Sequence, residues 1–192
     1  MAVNITELIQ KNLGLAELQK IDPNTQEVKK PEDILSGQSL DQAALPTVLL
    51  GLYKFSGNKE GNAAIINGAF STQLLDVIFG DKKDYVVEKV ARYAGNATGK
   101  TEGRMEKIAT EAIRVIKENV TDTKSDGAVK TFLLDQKKNI LVYLPAELQL
   151  GELFDEDAID DRTTKMEGPL SSRMHWIEKL FPGTDRRKEE NF

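Results

Sequence analysis

Ala94-Gly95-Asn96-Ala97-Thr98-Gly99-Lys100-Thr101 is the stretch on which the fold turns. It fits a relaxed phosphate-loop spelling, with four residues between Ala94 and Gly99 and a closing Gly99-Lys100-Thr101. In such a loop Lys100 reaches the β and γ phosphates, Thr101 holds Mg²⁺, and backbone N–H groups cradle the anion. That arrangement needs an extended strand feeding the loop. Here the first position is Ala94 rather than glycine, and Asp84–Tyr93 has helical character. The nearest metal-holding acid is Asp135, after Phe132-Leu133-Leu134, in a segment that itself reads as helix. The plain reading is that Gly95 stops one helix and Thr98 or Thr101 caps the next. A nucleotide-binding enzyme using Gly99, Lys100 and Thr101 is the rival function, and it requires a parallel sheet leading into this bend.

Helical periodicity continues on both sides. Asp81 opens a helix with Val86, Val87, Val90, Ala91 and Ala94 on one face. After the bend, Met105, Ile108, Ala109, Ala112, Ile113 and Ile116 form the cleanest apolar stripe in the chain. The opposite face, with Glu102, Arg104, Glu106, Lys107, Glu111, Arg114, Lys117 and Glu118, reads as solvated. Upstream, Ser71 is the expected cap of a helix carrying Leu74, Leu75, Val77, Ile78 and Phe79, with Gly80 as a left-handed stop. Ala63, Ala64, Ile65, Ile66 and Ala69 predict a short helix that is buried for want of a polar face.

Ser39-Leu40-Asp41-Gln42 is spelled like a capping box ahead of the stripe Leu45, Val48, Leu49, Leu52 and Phe55. Pro46 lacks a backbone donor, so a kink or restart is expected there. Near the N-terminus, Ile5, Leu8, Ile9, Leu15 and Leu18 follow helical spacing, with Thr6 as cap and Gly14 a weak point in the middle. Pro31–Leu35 predicts one helical turn. Between Val129 and Leu144 a hairpin competes with a helix. Gln136-Lys137-Lys138-Asn139 offers no Asn-Gly or Asp-Gly turn, and the flanks do not alternate, so helix is preferred, stopped by Pro145.

Composition bounds the function classes. A chain of 192 residues is one domain, or one with an extension, and buries roughly 70% of its unfolded surface. It has no cysteine, which removes disulfides, thiolate metal sites and cysteine nucleophiles. No basic region followed by an apolar run opens the chain, so a cytoplasmic location is expected. No apolar run approaches the ~20 residues that span a bilayer. The net charge of −5 argues against a nucleic-acid partner.

Past Pro145 the character changes. Glu152, Asp155, Glu156, Asp157, Asp160 and Asp161 crowd into a segment without EF-hand order, and read as a solvated acidic loop. His175 is the sole histidine, with no orienting partner, and no Gly-x-Ser-x-Gly elbow is present. No catalytic residue, cofactor or metal is therefore expected. Pro169 opens a last helix in which Met174, Trp176, Ile177, Leu180 and Phe181 are candidate docking residues, for a protein partner or a second copy. Peripheral membrane association through that helix is a third reading, weakened by Glu178 and the acidic stretch before it. The expected architecture is all-α: a multihelical bundle over residues 1–145, then a C-terminal helical extension over 146–192.

Leu45-Pro46-Thr47-Val48-Leu49-Leu50-Gly51-Leu52 resembles the early helix of YidB-like bacterial proteins, a family of undefined function. Leu74–Gly80, Val87–Gly95 with the Met105–Ile116 helix, Asp135–Ile140 and Leu144-Pro145-Ala146 are similar as well. The resemblance covers roughly residues 40–150. It implies an all-helical fold and a bacterial source, favours helix at Val129–Leu144, and implies no activity. The chain is less glycine-rich and more charged than that family, and carries an additional Glu147–Phe192 segment. The function expected from all of this is a non-catalytic interaction or structural domain.

Overall fold

The computed structural model of the protein describes residues 3–21, 36–68, 70, 73–121 and 125–150. Among the described residues the fold is all-α. Its helices are α1 (Ile5–Leu13), α2 (Ser36–Phe55), α3 (Lys59–Asn67), α4 (Leu74–Phe79), α5 (Lys83–Ala94), α6 (Thr98–Asn119) and α7 (Ala128–Leu141), with 3-10 turns at Gly80–Lys82 and Ala146–Leu148. The polypeptide reaches the Ala94–Thr101 bend as helix, not strand.

α2 is the centre. Every residue from 41 to 52 is buried, and α4, α5, α6 and α7 all pack against it. A helix enclosed on all sides needs no polar face. The expected restart at Pro46 does not occur, because α2 runs through it. The Thr47 hydroxyl donates to the Ala43 carbonyl at 2.7 Å, beside the carbonyl that Pro46 leaves without its helical donor. The capping-box reading of Ser39 and Gln42 is also corrected. The helix has already begun at Ser36, and both side chains are buried inside it. Gln42 instead clasps distant backbone. Its Oε1 accepts from Gln19 N at 2.7 Å, and its Nε2 donates to the carbonyls of Gln19 and Tyr143 at 3.0 and 2.6 Å.

Gly51 lets α4 press onto α2. A Cβ there would lie 2.6 Å from Cε1 and Cζ of Phe79 and 2.8 Å from Cγ2 of Ile78. Gly51→Ala is expected to cost about 1–2 kcal/mol, an overpacking penalty partly offset by alanine's better helix propensity. Urea unfolding followed by circular dichroism measures it, and unchanged stability would mean that α4 does not sit this close.

α1 is capped by Asn4, whose side chain accepts from Thr6 N and Glu7 N, so the cap is not Thr6. The Thr6 hydroxyl donates to the Asn139 carbonyl of α7, and Gln136 Oε1 accepts from Ile5 N. Gly14, at φ +58°, ends the helix rather than weakening its middle. Leu15 and Leu18 still reach the core, from a non-helical segment. Of the expected apolar set, Ala69 lies outside the described residues; among the others only Ile65 is buried, while Ala63 is exposed. That helix is a peripheral element, held by buried Asn62, which bridges the Ser125 carbonyl and Val129 N.

The inward stripe of α6 is buried as its periodicity predicts. Neither Thr98 nor Thr101 caps it. The N-cap is Ala97, and the Thr101 hydroxyl, fully buried, donates to the Ala97 carbonyl at 3.1 Å. The face expected to be solvated is exposed at Lys107, Arg114, Lys117 and Glu118, while Glu102, Arg104, Glu106 and Glu111 are half-buried in structural contacts. Glu106 accepts from Leu74 N and Leu75 N at 3.1 and 3.0 Å, capping α4 from a different helix. Lys83 lies 2.9 Å from Glu102 and 3.1 Å from Asp76, and hydrogen bonds to them hold its ammonium above its ordinary pKa. Glu111, bonded to Arg114 and Asn12, is held below the usual carboxylate range. Its stabilising effect is therefore present above the unfolded carboxylate pKa and fades as pH falls through the lowered folded one.

Residues 128–141 are helical, resolving the hairpin alternative. Beyond them Tyr143, Leu148 and Leu150 are buried, so the core reaches residue 150. Lys89 Nζ donates to the carbonyls of Leu148 and Gln149, which pins this stretch along α5. The expected turn at Pro31–Leu35 and cap at Ser71 lie outside the described residues, as does everything after Leu150.

Candidate functional site

A groove of about 740 Å³ opens between the first turns of α2 and α6 and the segment after α1. Gly99 and Gly103 of α6, Gly37 and Leu40 of α2, and Ala16 give it an apolar lining. A Cβ at Gly37, Gly99 or Gly103 would meet nothing within 4 Å. These glycines therefore widen the groove instead of permitting a close contact. Lys100, Arg104 and Lys107 line it from one face of α6, at i, i+4 and i+7.

The three cations are not equivalent. Arg104 is clamped: its Nε donates to Asp41 Oδ1 at 2.7 Å and its Nη2 to Oδ2 at 2.9 Å. The Asp41 side chain is 5% exposed and that of Arg104 30%. The bond to Asp41 raises the guanidinium's pKa. It braces α6 against α2. Lys100 and Lys107 are exposed, and among the described residues neither has an ion-pair partner. The groove is thus a local positive site on a chain of net charge −5.

On the opposite wall Gln38 Nε2 donates to the Glu17 carbonyl at 3.1 Å. The chemistry the groove offers is electrostatic and apolar contact. Among the described residues no group of three or more His, Cys, Asp or Glu is placed to hold a metal ion. No helix among them is long and apolar enough to cross a membrane.

Gly99, Lys100 and Thr101 do come together here, but as the first turn of a helix that follows another helix. Thr101 turns inward to its own backbone, while Lys100 points to the groove with Arg104 and Lys107. The docking residues Met174, Trp176, Ile177, Leu180 and Phe181, the acidic cluster and His175 lie outside the described residues. Sequence reading missed the groove because it treated Arg104 as one more solvated cation, whereas its guanidinium is clamped to Asp41; Lys107, placed on the same face, is exposed as expected. The available signal was Gly99 and Gly103 interleaved with Lys100, Arg104 and Lys107 on two helical turns. The site is a cationic, apolar-lined groove in a bundle that is all-α among the described residues. Comparison of the chain with protein-family models, curated proteins and solved structures finds no match in any of the three.

Proposed function

We propose that this protein is a non-catalytic helical interaction domain whose α2–α6 groove receives an acidic segment bearing apolar side chains. The carrying observation is that Lys100 and Lys107, which have no ion-pair partner among the described residues, lie beside a glycine-widened apolar floor on an acidic chain. Apolar residues of the ligand fill the floor, and its carboxylates meet the lysines. The YidB-like resemblance of residues 40–150 supports reading it as a bacterial protein. The terminal Met174, Trp176, Ile177, Leu180 and Phe181 are retained as a second contact, to a protein partner or another copy.

The test is to pan a display library of ten-residue peptides on the full chain. Peptides with carboxylates flanking Leu, Ile or Phe are expected to be enriched. The double substitution Lys100→Glu and Lys107→Glu should weaken them about tenfold or more, which is 1.4 kcal/mol. The loss should shrink as salt rises, because the lysines are exposed. Binding that ignores the charge reversal removes the groove from the proposal.

A further inference from the structure

A second cavity, of about 850 Å³, shares Gln38 with the groove. Its walls are α1, the segment after α1, the first turn of α2, and Tyr143. Hydrogen bonds tie these walls together. Gln42 Nε2 donates to the carbonyls of both Gln19 and Tyr143, Ile21 N donates to the Val142 carbonyl at 2.8 Å, and Gln10 Nε2 donates to the Ala16 carbonyl at 3.1 Å. Apart from exposed Lys20 and Gln19, the polar groups left over are acceptors. Glu7 and Glu17 line the cavity and have no ion-pair partner among the described residues. Gln10 and Gln38 spend their Nε2 atoms on the carbonyls of Ala16 and Glu17, and their Oε1 atoms accept nothing among the described residues. Tyr143 adds the most enclosed group. The residue is 4% exposed, yet its hydroxyl forms no hydrogen bond among the described residues. No described side-chain oxygen is both buried and unpartnered, so this hydroxyl opens to the cavity that Tyr143 lines. Burial, with Glu7 and Glu17 adding, holds the phenol above its ordinary pKa, which puts both carboxylates near the hydroxyl. Buried Leu15 and Leu18 give the cavity an apolar floor.

Such a cavity selects a cation that only donates, carried on an apolar stem. A guanidinium has five N–H donors in a planar fork and no acceptor, whereas an ammonium has three donors and no fork. We infer that this cavity binds a small alkylguanidinium, with its head group on the Glu7 and Glu17 carboxylates and the Tyr143 hydroxyl, and its stem on Leu15 and Leu18. The Oε1 atoms of Gln10 and Gln38 take the remaining N–H groups. Lys20 is the opposing charge in the lining, and against two carboxylates it leaves the site net negative. The inference does not rest on the groove reading, because neither Lys100 nor Lys107 lines this cavity.

The probe is butylguanidinium, titrated into the full chain at low ionic strength and followed by calorimetry. A dissociation constant of about 1 mM or tighter is expected, and no binding up to about 10 mM overturns the inference. Glu7→Gln with Glu17→Gln should weaken the probe about fivefold or more. Tyr143→Phe keeps the buried ring and should weaken it about threefold without moving the urea midpoint. Lys20→Met removes the like charge and should tighten it about twofold. Butylammonium, with the same stem, should bind about threefold more weakly or worse. Probe affinity indifferent to the paired glutamate change or to Tyr143→Phe overturns the inference. Equal binding of butylammonium overturns it as well, because unselective charge attraction would then account for the signal. The probe carries no carboxylate, so failure of this titration leaves the groove proposal standing, and failure of the peptide panning leaves this one.

Discussion

Replacing Arg104 by methionine is expected to lower the unfolding free energy by about 3 kcal/mol, a typical cost of leaving one buried charge without its partner. Asp41 is the reason. Its side chain is 5% exposed, and both of its oxygens accept from the Arg104 guanidinium. Without arginine the carboxylate stays enclosed by α2 and α6 with its charge uncompensated. Arg104 itself is 30% exposed, so most of the loss comes from Asp41 and little from desolvating the cation. For a chain of this size the melting temperature should fall by roughly 6–12 °C. The deficit should also depend on pH with a definite sign. A lone buried carboxylate has a folded pKa above its unfolded value, so the variant loses stability as pH rises and recovers part of it toward pH 4. Asp41→Leu combined with Arg104→Met removes both charges and should restore most of the stability. Urea unfolding of the two single variants and the double variant measures the coupling. Single variants costing less than 1 kcal/mol would mean that the clamp is not formed in solution.

Leu49→Ala is expected to be comparably damaging, at about 3 kcal/mol, because Leu49 is fully buried in the helix that four others cover. Backbone on all sides limits how far the cavity can collapse. Leu134→Ala provides the contrast. That side chain, on α7, is 49% exposed, and its loss should stay within 0.5 kcal/mol. The two variants share the same chemistry, so the difference in their unfolding midpoints isolates burial. Similar costs would contradict the central position of α2.

These two sites also separate what local sequence reveals from what it hides. The α6 stripe was legible because its helix is half-buried, and a half-buried helix writes its period into the chain. Gly95 was legible because a left-handed stop is a one-residue requirement. α2 misled for the opposite reason. Enclosure on every side erases amphipathicity, so Ser39 and Gln42 looked like a helix start and Pro46 like a break. Asn4 was overlooked in favour of Thr6, although both are short polar residues at a helix start. What distinguishes them is Thr6's bond to Asn139, far along the chain. Glu106 looked like one more surface acid because the amides it caps belong to α4. The groove was hidden in the same way. Its lysines lie on one helix, and its far wall comes from Ala16 and residues 37–41. No periodicity within α6 encodes a neighbour some sixty positions upstream.

The Gln42 clasp bears on the order in which the protein is made. One amide in the second helix moors Gln19 near the beginning of the chain and Tyr143 near the end of the described core. During synthesis Gln19 is available almost at once, whereas Tyr143 is added 101 positions after Gln42. Until then the amide has one anchor of two, and the buried helix has no α7 to cover it. The nascent chain therefore carries this buried helix incompletely sheltered until α7 has been made, and that interval is when a chaperone would find it.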